Sequence, residues 1–398
     1  MLPLQFQHPV TLILIALLTM MVMPKPVHAA TSNALLQQYI ISLCGRNPNL
    51  LLPPGWDRVS LNAMCTSTQN GLAGAAGGAS VSANMSSMGG SSGLMRGGND
   101  RERREKNKNQ VTAAASADDG GWGVMISPQY GKNERADSVL ENGYKSNLAG
   151  LMIGVDRRYS DTFVLGLTLG QTRDNATLLS GGGSLKTQNN LATLYGTWLP
   201  AENIAVDGYL GYGKLNYDSQ RHVVFGAING YTTGATTSNQ LLAGTSATYM
   251  KELGRYNLAP FINLDFIKTK FKNYSERGTT TLEMHYGDRS TLSLTSSLGS
   301  RVSTSYGKEW GSLEPMARFA FVHEFQNRFR QISNELISTP GTGFVVETDA
   351  PDRNYLLLSA GLTAAMNSGT QLYADFEKRT QDRFLSSWSL SAGVLMGF

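Results

Sequence analysis

A period of two constrains this chain more than any other feature. From Gly121 to Phe398, successive segments alternate apolar and polar side chains. In "LAGLMIGVDRRY", Ala149, Leu151, Ile153 and Val155 fall on one face of an extended strand, and Met152, Gly154, Asp156 and Arg158 on the other. "LEPMARFAFVHEF" sets Leu313, Pro315, Ala317, Phe319 and Phe321 against Glu314, Arg318 and Glu324. "QLYADFEKR" sets Leu372, Ala374 and Phe376 against Gln371, Tyr373, Asp375 and Glu377. Such alternation specifies strands with one apolar and one polar face. About twelve are legible at roughly ten or more residues each, longer than most soluble strands.

The connections sort by length. Tight turns are predicted at Ser160-Asp161, Pro200-Ala201-Glu202, Gly254-Arg255, Gly307-Lys308 and Asn367-Ser368-Gly369. Between them lie longer polar stretches at 131–146, 173–185, 218–233, 273–289 and 326–352, until a last short hairpin at Gln381-Asp382. A soluble sandwich has no reason to sort its loops this way. The expectation is an all-β fold, a twelve-stranded antiparallel transmembrane barrel of the outer-membrane type. Short turns and both barrel ends would face the periplasm. Closure removes the edge strands that a membrane cannot tolerate. The apolar face would meet lipid. Asp156, Arg158, Asp207, Asp265, Glu314, Arg318, Glu324, Asp375 and Glu377 would line the pore, where charge tunes what passes.

The rest of the 398 residues divides by composition. "VTLILIALLTMMVM" (10–23) is too short for a spanning helix, and "PKPVHAA" follows with small residues at Val27 and Ala29. Residues 1–29 therefore read as a signal peptide handled by the general secretory translocon. Residues 30–98 form a short passenger and linker. The Gly, Ser and Ala of 71–98 leave too few core formers to offset ordering entropy, so a flexible stretch is expected. Cys44 and Cys65 follow the signal into an oxidising compartment, which predicts a disulfide between them. Residues 99–117, "NDRERREKNKNQVTAAASA", favour a helix that is polar all round in its first half. Such a helix sits in water or in a polar channel. Its length of about 27 Å approaches the height of a bilayer core. The barrel domain would then span 118–398.

The net charge of +4 is small and dispersed, which argues against a nucleic-acid partner. With 43 glycines, 16 tyrosines and 16% charged residues, the chain resembles neither a helical membrane protein nor a Lys-rich enzyme. It ends on "SLSAGVLMGF", with Trp388, Leu390, Val394, Met396 and Phe398 on one strand face. A terminal aromatic residue there either anchors in the interfacial belt or is recognised.

Several stretches resemble the β-domain of autotransporters, the type V secretion proteins of Gram-negative bacteria. They are "LYGTWLPAENIAVDGYLGYGKLNYDSQR", "LAPFINLDFIKTKFKNYSERG", "LTSSLGSRVSTSYGKEWGSLEPMARFAFVHEF" and "DAPDRNYLLLSAGLTAAMNSGTQLYADFE". The resemblance implies a helix threaded through the pore and export of the N-terminal passenger to the cell surface. It also implies that Trp388, Leu390, Val394, Met396 and Phe398 form the signal read by the barrel-assembly machinery. Other expected partners are outer-membrane lipid and lipopolysaccharide, around a monomer. Lumen acids of some family members cut the passenger at an Asn; Asn107 and Asn109 stand at the corresponding place. The passenger here is unusually short, and an uncleaved form is expected.

No catalytic constellation is legible. HExxH and phosphate-loop motifs are absent, and "HEF" at 323–325 lacks a second His. After the signal only His222, His285 and His323 remain, which predicts no enzyme activity, no metal and no cofactor. Two alternatives to a secretion role stand: an outer-membrane channel with residues 30–117 as a periplasmic plug, and a barrel hydrolase.

Overall fold

In the computed structural model, the described residues are 121–397, apart from 139–141, 161, 226–227, 339 and 342. The expected signal peptide, passenger, Cys44–Cys65 disulfide and helix over 99–117, with Asn107, Asn109 and Phe398, fall on residues outside them.

Twelve long strands follow one another. They are β1 (Trp122–Arg135), β2 (Tyr144–Ser160), β3 (Phe163–Leu178), β4 (Gly183–Ala201), β5 (Ile204–Phe225) and β6 (Ile228–Tyr249). Then come β7 (Tyr256–Phe271), β8 (Arg289–Thr304), β9 (Gly311–Glu324), β10 (Asn354–Met366), β11 (Thr370–Thr380) and β12 (Leu385–Gly397). Each pairs antiparallel with its sequence neighbours, and β1 pairs with β12. Every barrel strand thus has two partners and the sheet closes.

Gly123 faces Gly397 on β12 and Asp156 beside the β2–β3 turn. The start of β1, the end of β12 and all five tight turns therefore share one rim; the fourth turn lies at Glu309-Trp310, because Gly307 and Lys308 pair with Ser312 and Gly311 as strand. Gly254, at φ +62°, makes the reversal into β7 with the backbone that a tight hairpin turn requires.

Outward-facing side chains form the expected apolar belt. Ile126, Leu151, Ile153, Leu167, Leu169, Leu194, Leu210, Ile262, Leu298, Leu358 and Leu390 are all exposed. Near the tight-turn rim the belt ends in exposed aromatics: Trp122, Tyr159, Trp198, Tyr249, Tyr256, Tyr306 and Trp310. Arg157 lies over Trp122 at 5.4 Å and over Tyr159 at 5.3 Å. This is the aromatic girdle of a membrane barrel.

At the other rim the structure corrects the sequence reading. The stretches 173–185 and 218–233 are not loops. β3 runs to Leu178 and β4 resumes at Gly183 after a single 3-10 turn, while β5 and β6 reach 22 residues each. The reason is a phase inversion. Beyond the belt the outward residues become polar, such as Arg173, Asn175, Lys186 and Lys214, while the inward ones become apolar. Tyr144, Ala176, Leu178, Leu185, Leu215, Tyr217 and Phe271 form a buried cluster there. Once the strands leave lipid, the fold buries apolar groups from water inside, at about 1.5–3 kcal/mol per large side chain. Polar residues in these stretches are therefore solvated strand positions.

The connections 272–288 and 325–353 are long, and they are folded. They contribute Tyr274–Ser275, Met284–Tyr286, Arg330–Leu336 and Phe344–Thr348 to a separate four-stranded sheet. Its core packs Leu282, Met284, Tyr286, Ile332 and Leu336 against Val223 of the β5 overhang.

Candidate functional site

The inward wall at membrane depth is polar over most of its circumference, with a buried apolar cluster of Met125, Met152 and Leu395 where β1, β2 and β12 meet. Ser127, Thr168, Thr193, Asn263, Ser297 and Thr363 are buried there. The nine charged residues read as pore-lining all occupy inward positions of their strands.

Three of these carboxylates are held by hydroxyls. The Tyr195 hydroxyl donates to Asp156 at 3.0 Å, and the Tyr209 hydroxyl donates to Asp265 at 2.7 Å. In each case one strand lies between the partners, and a glycine occupies the intervening place in register. The rows read Tyr195–Gly166–Asp156 and Tyr209–Gly244–Asp265. A Cβ on Gly166 or Gly244 would stand 2.4 Å from the tyrosine ring, so only glycine lets the ring cross. Tyr373 crosses Gly393 in the same way and donates to Ser127 at 2.6 Å. The third carboxylate, Asp207, accepts from Thr197 at 2.8 Å and Ser246 at 2.9 Å, tying β4 and β6 across β5.

Across the barrel, Arg318 is buried and donates to Ser359 at 2.8 Å and to Glu377 at 2.8 Å, with Asp375 at 3.5 Å. Arg318, Ser359 and Glu377 occupy one register row over β9, β10 and β11. Arg158 and Glu314 are half-buried on the inward face. Glu324 is 1% exposed and differs in kind. It accepts from Ser293, from the Leu294 amide at 3.0 Å and from the Gln326 amide at 2.8 Å, anchoring the start of the long loop.

Above the belt, Asp174 is 3% exposed and neither of its oxygens has a hydrogen-bond partner at normal geometry. Burial pushes its carboxyl up to about 6, against a weak opposing pull from the Ser146 hydroxyl. Higher still, Arg221 donates to Glu276 through Nε at 3.0 Å and through a terminal nitrogen at 2.5 Å. Burial alone would lower the Arg221 guanidinium, but Glu276, Tyr286 and Tyr274 hold it above its ordinary range. Tyr274 stacks on Tyr286 at 4.7 Å, and burial pushes the Tyr274 hydroxyl up to about 12. Arg135 of β1 reaches Asp349 at 2.6 Å and ties the second long loop to the barrel.

The three histidines have separate surroundings. His222 stacks on Tyr231 and contacts Asn229 at 2.9 Å, His285 contacts Ser275 at 2.8 Å, and His323 contacts Asn354 at 2.7 Å. Among the described residues, no group of three His, Cys, Asp or Glu side chains is arranged to hold a metal ion. On β12, Leu390 and Met396 are exposed on the outer wall, and Trp388 packs between Tyr130 at 5.8 Å and Phe376 at 6.0 Å.

The sequence reading missed the tyrosine–glycine struts, Asp174 and the Arg221–Glu276 pair. The struts had a signal: Tyr195 and Tyr209 fall on the inward phase, where apolar rings at lipid depth need a reason. Arg221 and Glu276 are 55 residues apart in sequence, with nothing local to join them.

The family model "Autotransporter beta-domain" matches residues 124–377. Among curated relatives, "Lipase 1" of Photorhabdus luminescens is 25% identical over 67% of this chain and 41% of its own length. "Outer membrane protein A" of Rickettsia conorii is 28% identical over 58% of this chain and 12% of its own length. The "BrkA autotransporter" of Bordetella pertussis is 24% identical over 68% of this chain and 25% of its own length. The chain thus spans less than half the length of these relatives. Among solved structures, the translocator domain of the autotransporter NalP from Neisseria meningitidis superposes with a TM-score of 0.56 at 12% identity. The match covers 77% of this chain and 97% of that one. The β-domain of the Bordetella autotransporter BrkA gives 0.54 at 19% identity, over 71% and 100%. A closed twelve-stranded barrel with this profile match is an outer-membrane translocator domain, and the chain belongs to the autotransporter β-domain family.

Proposed function

We propose that the barrel exports its own N-terminal segment, residues 30–98, and displays it at the cell surface. The observation that carries this reading is the parity of the strands. With twelve of them, the chain enters β1 at the same rim as the tight turns and the end of β12. That rim faces the periplasm in this reading. Residues before 121 must then stay in the periplasm or pass through the barrel. The polar wall favours passage, because its hydroxyls and paired charges offer a segment such as 99–117 hydrogen bonds in place of water. The basic side chains Arg101, Arg103, Arg104, Lys106 and Lys108 match a wall that carries Asp156, Asp207, Asp265 and Glu314. The barrel itself serves transport and not catalysis. Barrel assembly would read the outward face of β12 and Phe398.

The test is a cross-link. In a Cys44→Ser/Cys65→Ser background, Asn107→Cys and Thr193→Cys are introduced and treated with a short bis-maleimide in intact cells. Thr193 is inward-facing and buried on β4. A cross-linked product supports passage through the lumen. No product, with both cysteines reactive in opened cells, refutes it.

A further inference from the structure

The phase inversion leaves a charged strip on the outer wall. Directly beyond the upper end of the apolar belt, Lys132, Arg173, Lys214, Lys268 and Lys270 face outward and are exposed. They stand on β1, β3, β5 and β7, so the strip crosses seven neighbouring strands, about 29 Å at 4.8 Å per strand. None of the five has an ion-paired or hydrogen-bonded partner among the described residues. Two further lysines in the strip face acids across the register, Lys145 opposite Glu134 and Lys186 opposite Asp218. Glu134 also shares the outer face of β1 with Lys132, two residues before it, and the other four of the five have no acid opposite them in register. The opposite wall differs. The outward positions of β8–β12 carry a single Lys or Arg, Lys378 on β11.

Depth decides what the strip meets. On β1 and β5 the cation follows an exposed aromatic two residues below, Tyr130 before Lys132 and Tyr212 before Lys214. On β7, Lys268 follows Phe266. Aromatic rings mark the hydrocarbon boundary, so these ammonium groups sit at headgroup level, with their stems along apolar wall. A soluble anionic partner would not require contact with that boundary.

We infer that this strip, on β1–β7, is a docking surface for a phosphorylated glycolipid of the outer leaflet, whose phosphates the five cations would hold against the barrel. The inference rests on the reading that the long-strand rim faces outward. Binding in detergent tests the strip without reference to orientation, so its failure leaves the export reading untouched.

The experiment uses full-length folded protein in detergent and native mass spectrometry. The probes are bisphosphorylated lipid A, the same lipid without phosphates, and inorganic phosphate. The expected result is that bisphosphorylated lipid A stays bound and the other two do not. Replacing Lys132, Arg173, Lys214, Lys268 and Lys270 together by Gln weakens binding by at least about tenfold. Arg157→Gln/Arg255→Gln, which removes charge at the tight-turn rim, leaves it unchanged. The pair Lys214→Gln/Lys268→Gln carries the test if the fivefold variant does not fold. Equal binding by the phosphate-free lipid or inorganic phosphate, undiminished binding by the strip variants, or equal loss in the control variant overturns the inference.

Discussion

The Tyr209 hydroxyl donates to Asp265 at 2.7 Å across the glycine of the strand between them. The ring lies where the Gly244 side chain would be, so one tyrosine fixes three strands and shields a carboxylate at lipid depth. Gly244→Ala places a methyl 2.4 Å from the ring and forces it away. The expected cost is about 1–3 kcal/mol, the usual range for overpacking. In a Tyr209→Ala background the same substitution costs much less. Urea unfolding in lipid vesicles, followed by tryptophan fluorescence, reads both; equal costs in the two backgrounds would contradict the strut.

The two faces predict opposite responses to charge. Leu194 is 46% exposed on the lipid side of β4. Leu194→Lys should cost about 2–4 kcal/mol if it lies near the bilayer centre. Lys214→Leu, beyond the belt, should change stability little. The same unfolding assay checks the pair, and a tolerated Leu194→Lys would shift the belt.

Asp174 gives the barrel a pH signature. Its carboxyl is pushed up to about 6, so the folded state binds its proton more tightly than the unfolded state does. Stability from this group is therefore greatest below about pH 4 and falls as pH rises toward 6. Above that, ionised Asp174 costs on the order of 2–3 kcal/mol. Asp174→Asn should raise the unfolding midpoint at pH 7.5 and leave it unchanged at pH 4. A loss of stability at pH 7.5 would mean that the charge has a partner.

Arg221 and Glu276 join the β5 overhang to the folded loop at 272–288, both nearly free of solvent. Removing one partner leaves a buried charge, so Arg221→Ala or Glu276→Ala should cost about 3–5 kcal/mol locally. Arg221→Met/Glu276→Leu should cost less than either. Hydrogen exchange over 272–288 and 325–353 should rise in the single variants, while the transmembrane strands keep their protection.

The barrel was legible because lipid imposes one rule on every strand: Leu151, Ile153 and Val155 alternate with Gly154 and Asp156, and the phase gives the face directly. Legibility failed where the solvent changes. Beyond Leu169 on β3, Gln171, Arg173 and Asn175 carry the pattern of a polar loop, yet Ala176 and Leu178 keep the period in opposite phase. Only the partner strands reveal that the stretch is paired. The pore-lining residues were readable as inward-facing for the same reason. Their partners were not, because Tyr195 finds Asp156 through two register relations that no local pattern encodes.

The most direct measurement of export is an epitope tag placed between Ser32 and Asn33, probed with antibody on intact cells. Labelling at the surface or in the medium is the expected result and means that the N-terminus crosses the outer membrane. A tag reached only after the outer membrane is opened would contradict export and leave a barrel whose N-terminal segment stays in the periplasm.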